Sequence, residues 1–435
     1  MSSLLAEVVS RHKAGEHIGV YSVCSAHPLV IEAAMRQALD DGTVVLVEAT
    51  SNQVDQLGGY TGMRPEDFRA FCAEIADRVG LPMDRVVLGG DHLGPNRWQG
   101  LPSAEAMSNA EALVAAYVHA GYEKIHLDCS MSCADDPVPL GNDEVAARTT
   151  RLLGVAETAA AEGGQGRPLY VIGTEVPVPG GAHEELGELT PTTPEAALAT
   201  LAAHRIAFSQ AGLGEVWPRV MALVVQPGVE FDHLKVVDYE PGRTTELTRV
   251  LDEEPTLVFE AHSTDYQRPE AFTRLVQDHW AVLKVGPALT FALREAVFAL
   301  EQLEAELVPV EERSGIGDVI DEQMLAHPDH WAGYYLGSER EQRLARRFSY
   351  SDRMRYYWPD PRIREALDTL VRNLRSTVIP VPLLSQYLPA QYERARAGVL
   401  EADPHELVVD HIRDALRPYA AACGAAPSTT QRRTS

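Results

Sequence analysis

The sequence predicts an α/β fold in which eight parallel strands close into a (β/α)8 TIM barrel, followed by a C-terminal helical extension. Between residue 17 and about residue 305, short runs rich in Val, Ile and Leu alternate with longer stretches of helical periodicity, as in successive βαβ units. Eight such units occur in series, which favours closure into a barrel. No glycine fingerprint for a dinucleotide follows the first strand, which disfavours the alternative of a doubly wound open sheet.

Residues 1–305 are assigned to the barrel, and each predicted strand in it is a short apolar run. In chain order the predicted strands are 18–25, 43–50, 85–92, 124–130, 169–175, 220–227, 256–263 and 281–288. Amphipathic periodicity predicts the helices that separate them, among which the most regular are 28–41, 111–121, 194–212 and 287–307.

Residues 306–423 have a different character, with helical segments, loops and aromatic residues but no strand alternation. We predict that they form a helical extension packed on the barrel. Residues 424–435 are polar and rich in small side chains, so we expect a disordered tail.

The composition indicates a reduced, intracellular protein. Five cysteines are an odd number in a long chain, which argues against a disulfide framework. The N-terminal segment lacks the apolar core and cleavage site of a signal peptide, and no apolar run approaches the roughly 20 residues of a membrane span. We therefore expect a cytoplasmic protein that binds no membrane. We also expect it to form a homo-oligomer.

The formal net charge of −25 opposes nucleic-acid binding, which needs a basic surface. An anionic substrate must then be held by local groups. The chain has four lysines, Lys13, Lys124, Lys235 and Lys284, which limits Schiff-base chemistry. Lys284 on the eighth strand is the one candidate, although we favour a salt bridge over an imine there. Lys124 opens its strand and is expected at the opposite barrel face.

Ionisable side chains gather at the ends of the predicted strands. In a barrel enzyme the chemistry lies where the strands run into the βα loops, so these positions are the first to examine. They are Glu48, Asp91, His92, Asp128, Ser130, Glu175, Gln226, Glu230, His233, Glu260 and His262. Buried ionisable groups cost free energy unless they are paired or bind a metal, so their joint placement indicates a functional site.

A divalent metal is the simplest reason for this cluster. His92 and His262 are the predicted imidazole ligands, and nitrogen and oxygen donors of this kind suit Zn, Mn or Co. One or two further ligands are expected from the set Glu175, Glu230, His233 and Asp128. The alternative is that each of these residues is an ordinary core or loop residue with its hydrogen bonds satisfied.

Two glycine-containing turns, 177–185 and 284–288, are candidates to present backbone N–H groups to a phosphate. Arginine is the natural phosphate ligand in a chain so poor in lysine. The candidates are Arg97 after the third strand and Arg353 and Arg355 in the extension; the alternative is that they are solvated surface residues.

Nine motifs closely resemble the GatZ/KbaZ family of the tagatose-bisphosphate aldolase system. They are SVCSAHP (22–28), EATSNQVDQLGGYTGM (48–63), GGDHLGPNRWQ (89–99), IHLDCSMSC (125–133), GTEVPVPGGAHE (173–184), QPGVEFDH (226–233), FEAHSTDYQ (259–267), LKVGPALTFALREA (283–296) and SDRMRYYWPD (351–360). The resemblance runs from residue 1 to about residue 422 and implies a barrel related to the class II, metal-dependent aldolases.

The resemblance also implies roles for particular residues. In the wider class an Asp-His pair ends a strand, with the His on the metal and the Asp handling a substrate proton, and Asp91-His92 matches that pair. The middle metal-binding His of the class has no clear equivalent; strand six offers Gln226 and Glu230 there, so Glu230 becomes the predicted third ligand. The implied catalytic groups are Asp91, Glu175 and Glu184, and the implied substrate contacts are Asn52, Gln53, Arg97, Asp128, Gly180, Gly181, Ser263, Lys284 and Gly286.

Two functions follow from the resemblance. The first is a metal-dependent 4-epimerase of a phosphorylated ketohexose that works by retro-aldol cleavage and re-addition. The second is a non-catalytic subunit that stabilises a separate catalytic aldolase chain. The costly polar groups at the barrel mouth favour the enzyme, because a purely structural subunit has no evident need for them.

Overall fold

A computed structural model describes residues 4–163, 166–173 and 189–424. Eight parallel strands form a closed barrel and confirm the predicted fold class. They are β1 (Val20–Val23), β2 (Val45–Thr50), β3 (Val86–Leu93), β4 (Lys124–Leu127), β5 (Leu169–Gly173), β6 (Val220–Val224), β9 (Val258–Ala261) and β10 (Trp280–Val285). The chain order is kept around the barrel, and β10 pairs with β1 to close it.

Helices follow the strands and cover the outside of the barrel. They are α1 (Leu4–Lys13), α2 (Pro28–Asp41), α3 (Pro65–Val79), α4 (Ser103–His119), α5 (Asn142–Gly163), α6 (Pro194–Gln210), α7 (Thr245–Thr248), α8 (Pro269–Gln277) and α9 (Pro287–Leu307). Two predicted helices, 28–41 and 287–307, have the bounds of α2 and α9. The helix predicted at 111–121 is α4, which begins earlier, at Ser103. Its first turns are rich in small residues and carry little apolar periodicity, so the sequence pattern did not indicate them.

The connection after β6 departs from the regular βα rhythm. A two-stranded antiparallel hairpin, β7 (Glu230–Phe231) and β8 (Val236–Val237), stands there and is followed by the short helix α7. Period-two apolar patterning is too short in such a hairpin to be recognised from the sequence. The hairpin places Glu230 and Phe231 close to the mouth of the barrel, where Phe231 lines the cavity described below.

The described chain after α9 consists of helices joined by loops and turns, with no strand. Its helices are α10 (Ile316–Ala326), α11 (Glu339–Phe348), α12 (Pro361–Arg375), α13 (Val381–Tyr387), α14 (Pro389–Arg396) and α15 (Pro404–Ala422). Helix α15 packs against α2, α8 and α9 and reaches β1. Arg36 of α2 pairs with Glu406 at 2.6 Å, and the Tyr419 hydroxyl donates to the Thr264 carbonyl at 2.9 Å. The end of the extension is thus built into the barrel wall.

The lower half of the barrel interior is apolar. Side chains from several strands meet there, and Leu5 and Val9 of α1 cover them. This layer contains Val20, Leu46, Val87, Leu169, Val171, Met221, Ala222, Val224, Val258, Ala281 and Val282. It closes the N-terminal end of the barrel as a packed core. No helix in the described residues is both long and apolar enough to cross a bilayer.

Candidate active site

A bulge in β3 turns two neighbouring side chains into the barrel mouth. Successive residues of a regular strand point to opposite faces, so Asp91 and His92 could not otherwise share one site. The register between β3 and β4 shifts between Gly90 and Leu93, and His92 takes a left-handed φ of 50°. A non-glycine residue held there is strained, and such strain concentrates at functional sites. The bulge is what brings Asp91 and His92 together.

Three imidazoles meet at this mouth. The ring centroid of His92 lies 4.9 Å from that of His126 and 4.8 Å from that of His262. Together with Asp91 they offer ligand atoms that all lie within 4.8 Å of one another. The predicted ligands His92 and His262 are therefore neighbours, and His126 of β4 is a third candidate that the sequence prediction missed.

Each of these histidines has one ring nitrogen held by an oxygen acceptor. The His92 Nδ1 donates to Asp128 at 2.7 Å, and the His262 Nε2 donates to Glu260 at 3.0 Å. The His126 Nε2 donates to the Gly173 carbonyl at 3.0 Å. Carboxylates and carbonyls only accept, so in the neutral ring these contacts place the proton on the bonded nitrogen and leave the other nitrogen unprotonated. Metal-binding histidines carry this second-sphere hydrogen bond almost without exception.

The other ring nitrogen of His126, which carries no proton in this tautomer, lies beside a second acceptor. Its Nδ1 lies 3.0 Å from Asp91 Oδ1 and accepts the backbone N–H of His92 at 3.3 Å. Two acceptors in contact require a proton or a metal ion to bridge them. The donor set of three imidazoles and a carboxylate therefore fits a divalent cation such as Zn, Mn or Co.

A charged layer lies directly below the imidazoles. Lys124 contacts Glu48 at 2.6 Å and Glu260 at 2.8 Å, and all three side chains are fully buried. Lys284 contacts Glu48 at 2.5 Å and Asp91 at 2.9 Å. The prediction that Lys124 belongs to the opposite face is wrong, because its long side chain extends up the barrel interior from the start of β4. The predicted salt bridge of Lys284 is present.

The buried charged groups around this layer have a net negative charge, which a bound cation would balance. With Asp128, the buried carboxylates are four, and the two lysine ammonium groups neutralise half of them. Burial tends to lower the pKa of Lys284, but Asp91 and its other anionic neighbours outweigh burial and raise the pKa well above the usual range. The amine is thus protonated, which opposes imine formation. A divalent ion would balance the two remaining negative charges.

The protonation states suit a metal and a proton acceptor. Burial lowers the pKa of His262 to about 4, so its ring is neutral at neutral pH. Burial alone would raise the pKa of Asp91, but His92 and Lys284 hold it well below the usual range, and the carboxylate stays charged. For His92, burial opposes the charged form, yet Asp91 and Asp128 raise its pKa.

His92 and His262 line a cavity of about 720 Å³, counted with its opening to solvent. Asn52, Gln53, Ser263, Lys284 and Gly286, all predicted as substrate contacts, line it. The other lining residues are Cys24, Thr50, Tyr60, Asp91, His92, Phe231, His262, Asp265, Val285, Pro287, Arg355 and Tyr356. The cavity thus lies at the C-terminal ends of the strands, where barrel enzymes carry their active sites.

Several predicted site residues lie elsewhere or have another role. Asp128, predicted to contact substrate, instead orients His92. Arg97 forms an ion pair with Asp55 and is not among the residues that line the cavity. His233 contacts the Ser351 hydroxyl at 2.9 Å and the Tyr334 carbonyl, away from the imidazoles. Long-range partners of this kind leave no trace in the local sequence.

Glu230, the predicted third ligand, does not belong to the group formed by Asp91 and the three histidines. One of its carboxylate oxygens accepts the Phe231 N–H at 2.9 Å, and the other has no hydrogen-bond partner among the described residues. Burial raises the pKa of Glu230 to about 7. The structure therefore offers His126 in the place that the sequence prediction gave to Glu230.

The predicted phosphate turn at 284–288 already holds an anion. The Asp265 carboxylate accepts the backbone N–H groups of Gly286 and Ala288 at 2.9 and 2.8 Å. Arg355 lines the cavity as anticipated, whereas Arg353 donates to the His330 carbonyl and packs on Tyr334.

Glu175, Gly180, Gly181 and Glu184 lie outside the described residues, as does the tail from residue 425 onward. Their predicted roles stay predictions. His126, in contrast, had a usable signal. Lys124, His126 and Asp128 alternate along β4, and period-two spacing puts all three on one face of the strand. With Lys124 at the strand start, that face is the barrel interior.

Comparison with known proteins agrees with the fold and the motifs. The family model for "D-tagatose-1,6-bisphosphate aldolase subunit GatZ/KbaZ-like" matches residues 5–424. A crystal structure described as a probable tagatose 6 phosphate kinase from Sinorhizobium meliloti 1021 shares 48% identity and a TM-score of 0.87, over 93% of this chain and 100% of that one.

More distant structures are aldolases. The YdjI aldolase from Escherichia coli K12 has 12% identity and a TM-score of 0.42, over 86% of this chain and 98% of that one. Fructose-bisphosphate aldolase from Campylobacter jejuni has 13% identity and a TM-score of 0.43, over 86% and 93%. On the strength of the full-length family match, the chain belongs to the GatZ/KbaZ-like family of D-tagatose-1,6-bisphosphate aldolase subunits.

Proposed function

We propose that the protein is a metal-dependent 4-epimerase of a phosphorylated ketohexose, converting D-tagatose 6-phosphate or 1,6-bisphosphate to the D-fructose epimer. The reaction would belong to tagatose- or galactitol-type carbohydrate catabolism in the cytoplasm. One observation carries the proposal: each ring has one nitrogen held by an oxygen acceptor, and His92, His126, His262 and the Asp91 carboxylate offer ligand atoms that all lie within 4.8 Å of one another.

His92, His126 and His262 would hold the divalent ion, with Asp91 at its edge. A bound Zn, Mn or Co ion supplies Lewis-acid polarisation of the ketose carbonyl, which makes C3 a better leaving carbanion. Asp128 and Glu260 fix the orientation of two of the rings, so the ligand nitrogens are placed before the ion arrives.

Asp91 is the proton acceptor of the proposed reaction. It takes the proton of the C4 hydroxyl while the C3–C4 bond breaks, so that C4 becomes an aldehyde and the bond electrons pass into an enediolate at C2 and C3. The aldehyde turns and C3 attacks its other face. The new C4 oxygen regains a proton from Asp91 or from Glu184, and the configuration at C4 is inverted.

Lys284 keeps Asp91 in its charged form during this cycle. The ammonium lies 2.9 Å from Asp91 Oδ1 and is held from below by Glu48. The same chemistry would release two fragments if the aldehyde left the cavity. Aldolase and epimerase activities at this site therefore differ in whether the aldehyde is retained.

A second candidate is the non-catalytic role, in which the chain stabilises a separate class II D-tagatose-1,6-bisphosphate aldolase subunit. It is supported by the description of the family as an aldolase subunit. It gives no reason for burying three imidazoles, four carboxylates and two ammonium groups at one end of the barrel. We therefore favour the epimerase.

The test is an assay of the purified protein with Mn or Zn and each of four substrates: tagatose 6-phosphate, tagatose 1,6-bisphosphate and their fructose epimers. We expect the C4 epimer, without added aldolase. ATP is included in a parallel reaction because the Sinorhizobium relative is named a kinase. Release of ADP without formation of the epimer would contradict the proposal. The proposal would also be contradicted if the protein alone formed no epimer but raised the activity of an added aldolase.

A further inference from the structure

The first turn of α9 would be an anion site if its donors were free. The N-terminus of a long helix presents backbone N–H groups and a positive dipole end, which commonly bind phosphate. Here Asp265 Oδ1 accepts from both Gly286 and Ala288, and Pro287 between them has no N–H. A carboxylate of the chain itself therefore occupies these donors.

Asp265 also faces the ligand space. It is 3% exposed and lines the same cavity as His92 and His262. Burial raises its pKa to about 6, which leaves the group mostly ionised at neutral pH. A phosphate at this end of the cavity would meet both a negative charge and occupied donors. A hydroxyl would instead donate a hydrogen bond to the carboxylate.

Arg355 provides the opposite environment. Its guanidinium lines the cavity and is positioned by the Ser351 and Asp352 carbonyls and by the Tyr356 hydroxyl at 3.0 Å. In the described part of the chain, no carboxylate is in ion-pair contact with it. Lys284, the other lysine or arginine lining the cavity, forms ion pairs with Glu48 and Asp91. A planar guanidinium fixed in this way is suited to phosphate.

We infer that the site takes a ketohexose monophosphate, with the single phosphate on Arg355 and the unphosphorylated end of the sugar on Asp265. The inference rests on the proposed epimerase function and narrows it. A bisphosphate carries a phosphate at each end, so one of them must meet Asp265. Of the two proposed substrates, the 6-phosphate fits. Asp265 and Arg355 are then specificity-determining residues.

The wild-type protein tests the inference first. We expect kcat/KM for tagatose 6-phosphate to exceed those for tagatose 1,6-bisphosphate and for tagatose by about 100-fold, as expected where one substrate meets an unpaired like charge and the other leaves a cation unused. Equal or higher kcat/KM for the bisphosphate would overturn the inference.

Asp265→Asn separates charge from shape, because the amide oxygen still accepts the two N–H groups. We expect the bisphosphate-to-monophosphate ratio of kcat/KM to rise about tenfold, since the repulsion is removed. Glu304→Gln is the matched control. Glu304 is an equally buried acid of α9 that accepts hydrogen bonds from Ser314 and Asn373 and does not line the cavity. An unchanged ratio in Asp265→Asn, or an equal rise in the control, would contradict the role of Asp265.

Arg355→Met is expected to raise KM for tagatose 6-phosphate about 30-fold and to change kcat/KM for unphosphorylated tagatose less than twofold, with Arg355→Lys in between. Thermal melting curves check that each variant folds. Equal losses on both substrates would overturn the assignment of the phosphate to Arg355.

A binding measurement keeps this test apart from that of the reaction. Calorimetric titration with fructose 6-phosphate and fructose 1,6-bisphosphate needs no turnover. We expect the monophosphate to bind at least tenfold tighter, even if no epimer forms. Absence of epimer from every substrate would reject the proposed reaction, whereas tighter binding of the bisphosphate would reject this inference.

Discussion

The two ends of the barrel interior are built from opposite materials. At the N-terminal end, Val87, Leu46 and their neighbours form an apolar layer beneath Leu5 of α1. At the C-terminal end, ionised side chains and imidazoles fill the same tube of strands. Burial of apolar surface stabilises the first arrangement, whereas desolvation of the charged groups destabilises the second. The apolar layer therefore accounts for the stability of the barrel, whereas the polar layer is explained by function.

Two cavity residues have strained backbone. His92 and Ser263 both adopt left-handed φ values, 50° and 51°, and both line the cavity. Each such residue costs of order 1 kcal/mol or more and persists only where the surroundings enforce it. The polar end therefore combines buried charges with locally strained backbone, as expected for a site in which geometry matters more than stability.

The largest expected effect is at the polar end and concerns turnover. Asp91→Asn removes the proton acceptor but keeps the size of the side chain, so kcat should fall about 1,000-fold while the metal content stays near that of the wild type. Steady-state kinetics and elemental analysis check the two parts. A variant that retains wild-type turnover would show that Asp91 is not the acceptor.

The second prediction contrasts the two ends through stability. Lys124→Met removes one of the two ammonium groups that contact Glu48 and Glu260 and should lower the free energy of unfolding by roughly 3–5 kcal/mol. Leu46→Ala at the apolar end should cost about 2–4 kcal/mol through the cavity it leaves. Urea unfolding measures both.

A second substitution distinguishes the causes of these losses. Glu260→Gln added to Lys124→Met should recover about 1 kcal/mol or more, because one uncompensated charge disappears. Added to Leu46→Ala, the same change should recover nothing. Recovery in both backgrounds, or in neither, would mean that charge does not govern the cost at the polar end.

A further expected effect is a pH dependence of stability from Glu230. Its folded pKa of about 7 lies above its ordinary value of 4.5, so between these pH values the folded state keeps a proton that the unfolded chain has lost. Stability should therefore fall as pH rises through that window, by up to about 3 kcal/mol. Glu230→Gln should flatten this fall in urea unfolding of metal-free protein at pH 5 and pH 8. An unchanged pH dependence would contradict the cause.

How much the sequence predicts also differs between the two ends. The strands and α2 and α9 were predictable because buried apolar runs and helical periodicity are local signals. At the mouth, His92, His262 and Lys284 were found because strand ends are known places for chemistry. His126 was missed because it lies inside the predicted strand 124–130 and only residues at strand ends were considered.

Other features of the site depend on contacts between distant parts of the chain. The bulge that turns His92 inward, the ion pair that removes Arg97 from the cavity and the Asp265 carboxylate on the first turn of α9 have no local signature. The ion pair of Arg97 and the position of Asp265 each changed a predicted role. Folding, and not spacing along the chain, decides which of several similar side chains meet.

In the proposed site, three imidazoles, and not Glu230, hold a divalent metal at the polar end. Anomalous diffraction from crystals of the wild-type protein loaded with Mn²⁺ tests this assignment. We expect one strong anomalous peak bonded to His92 Nε2, His126 Nδ1 and His262 Nδ1. A peak coordinated by Glu230 without His126, or Mn²⁺-loaded crystals with no peak between the three rings, would contradict it.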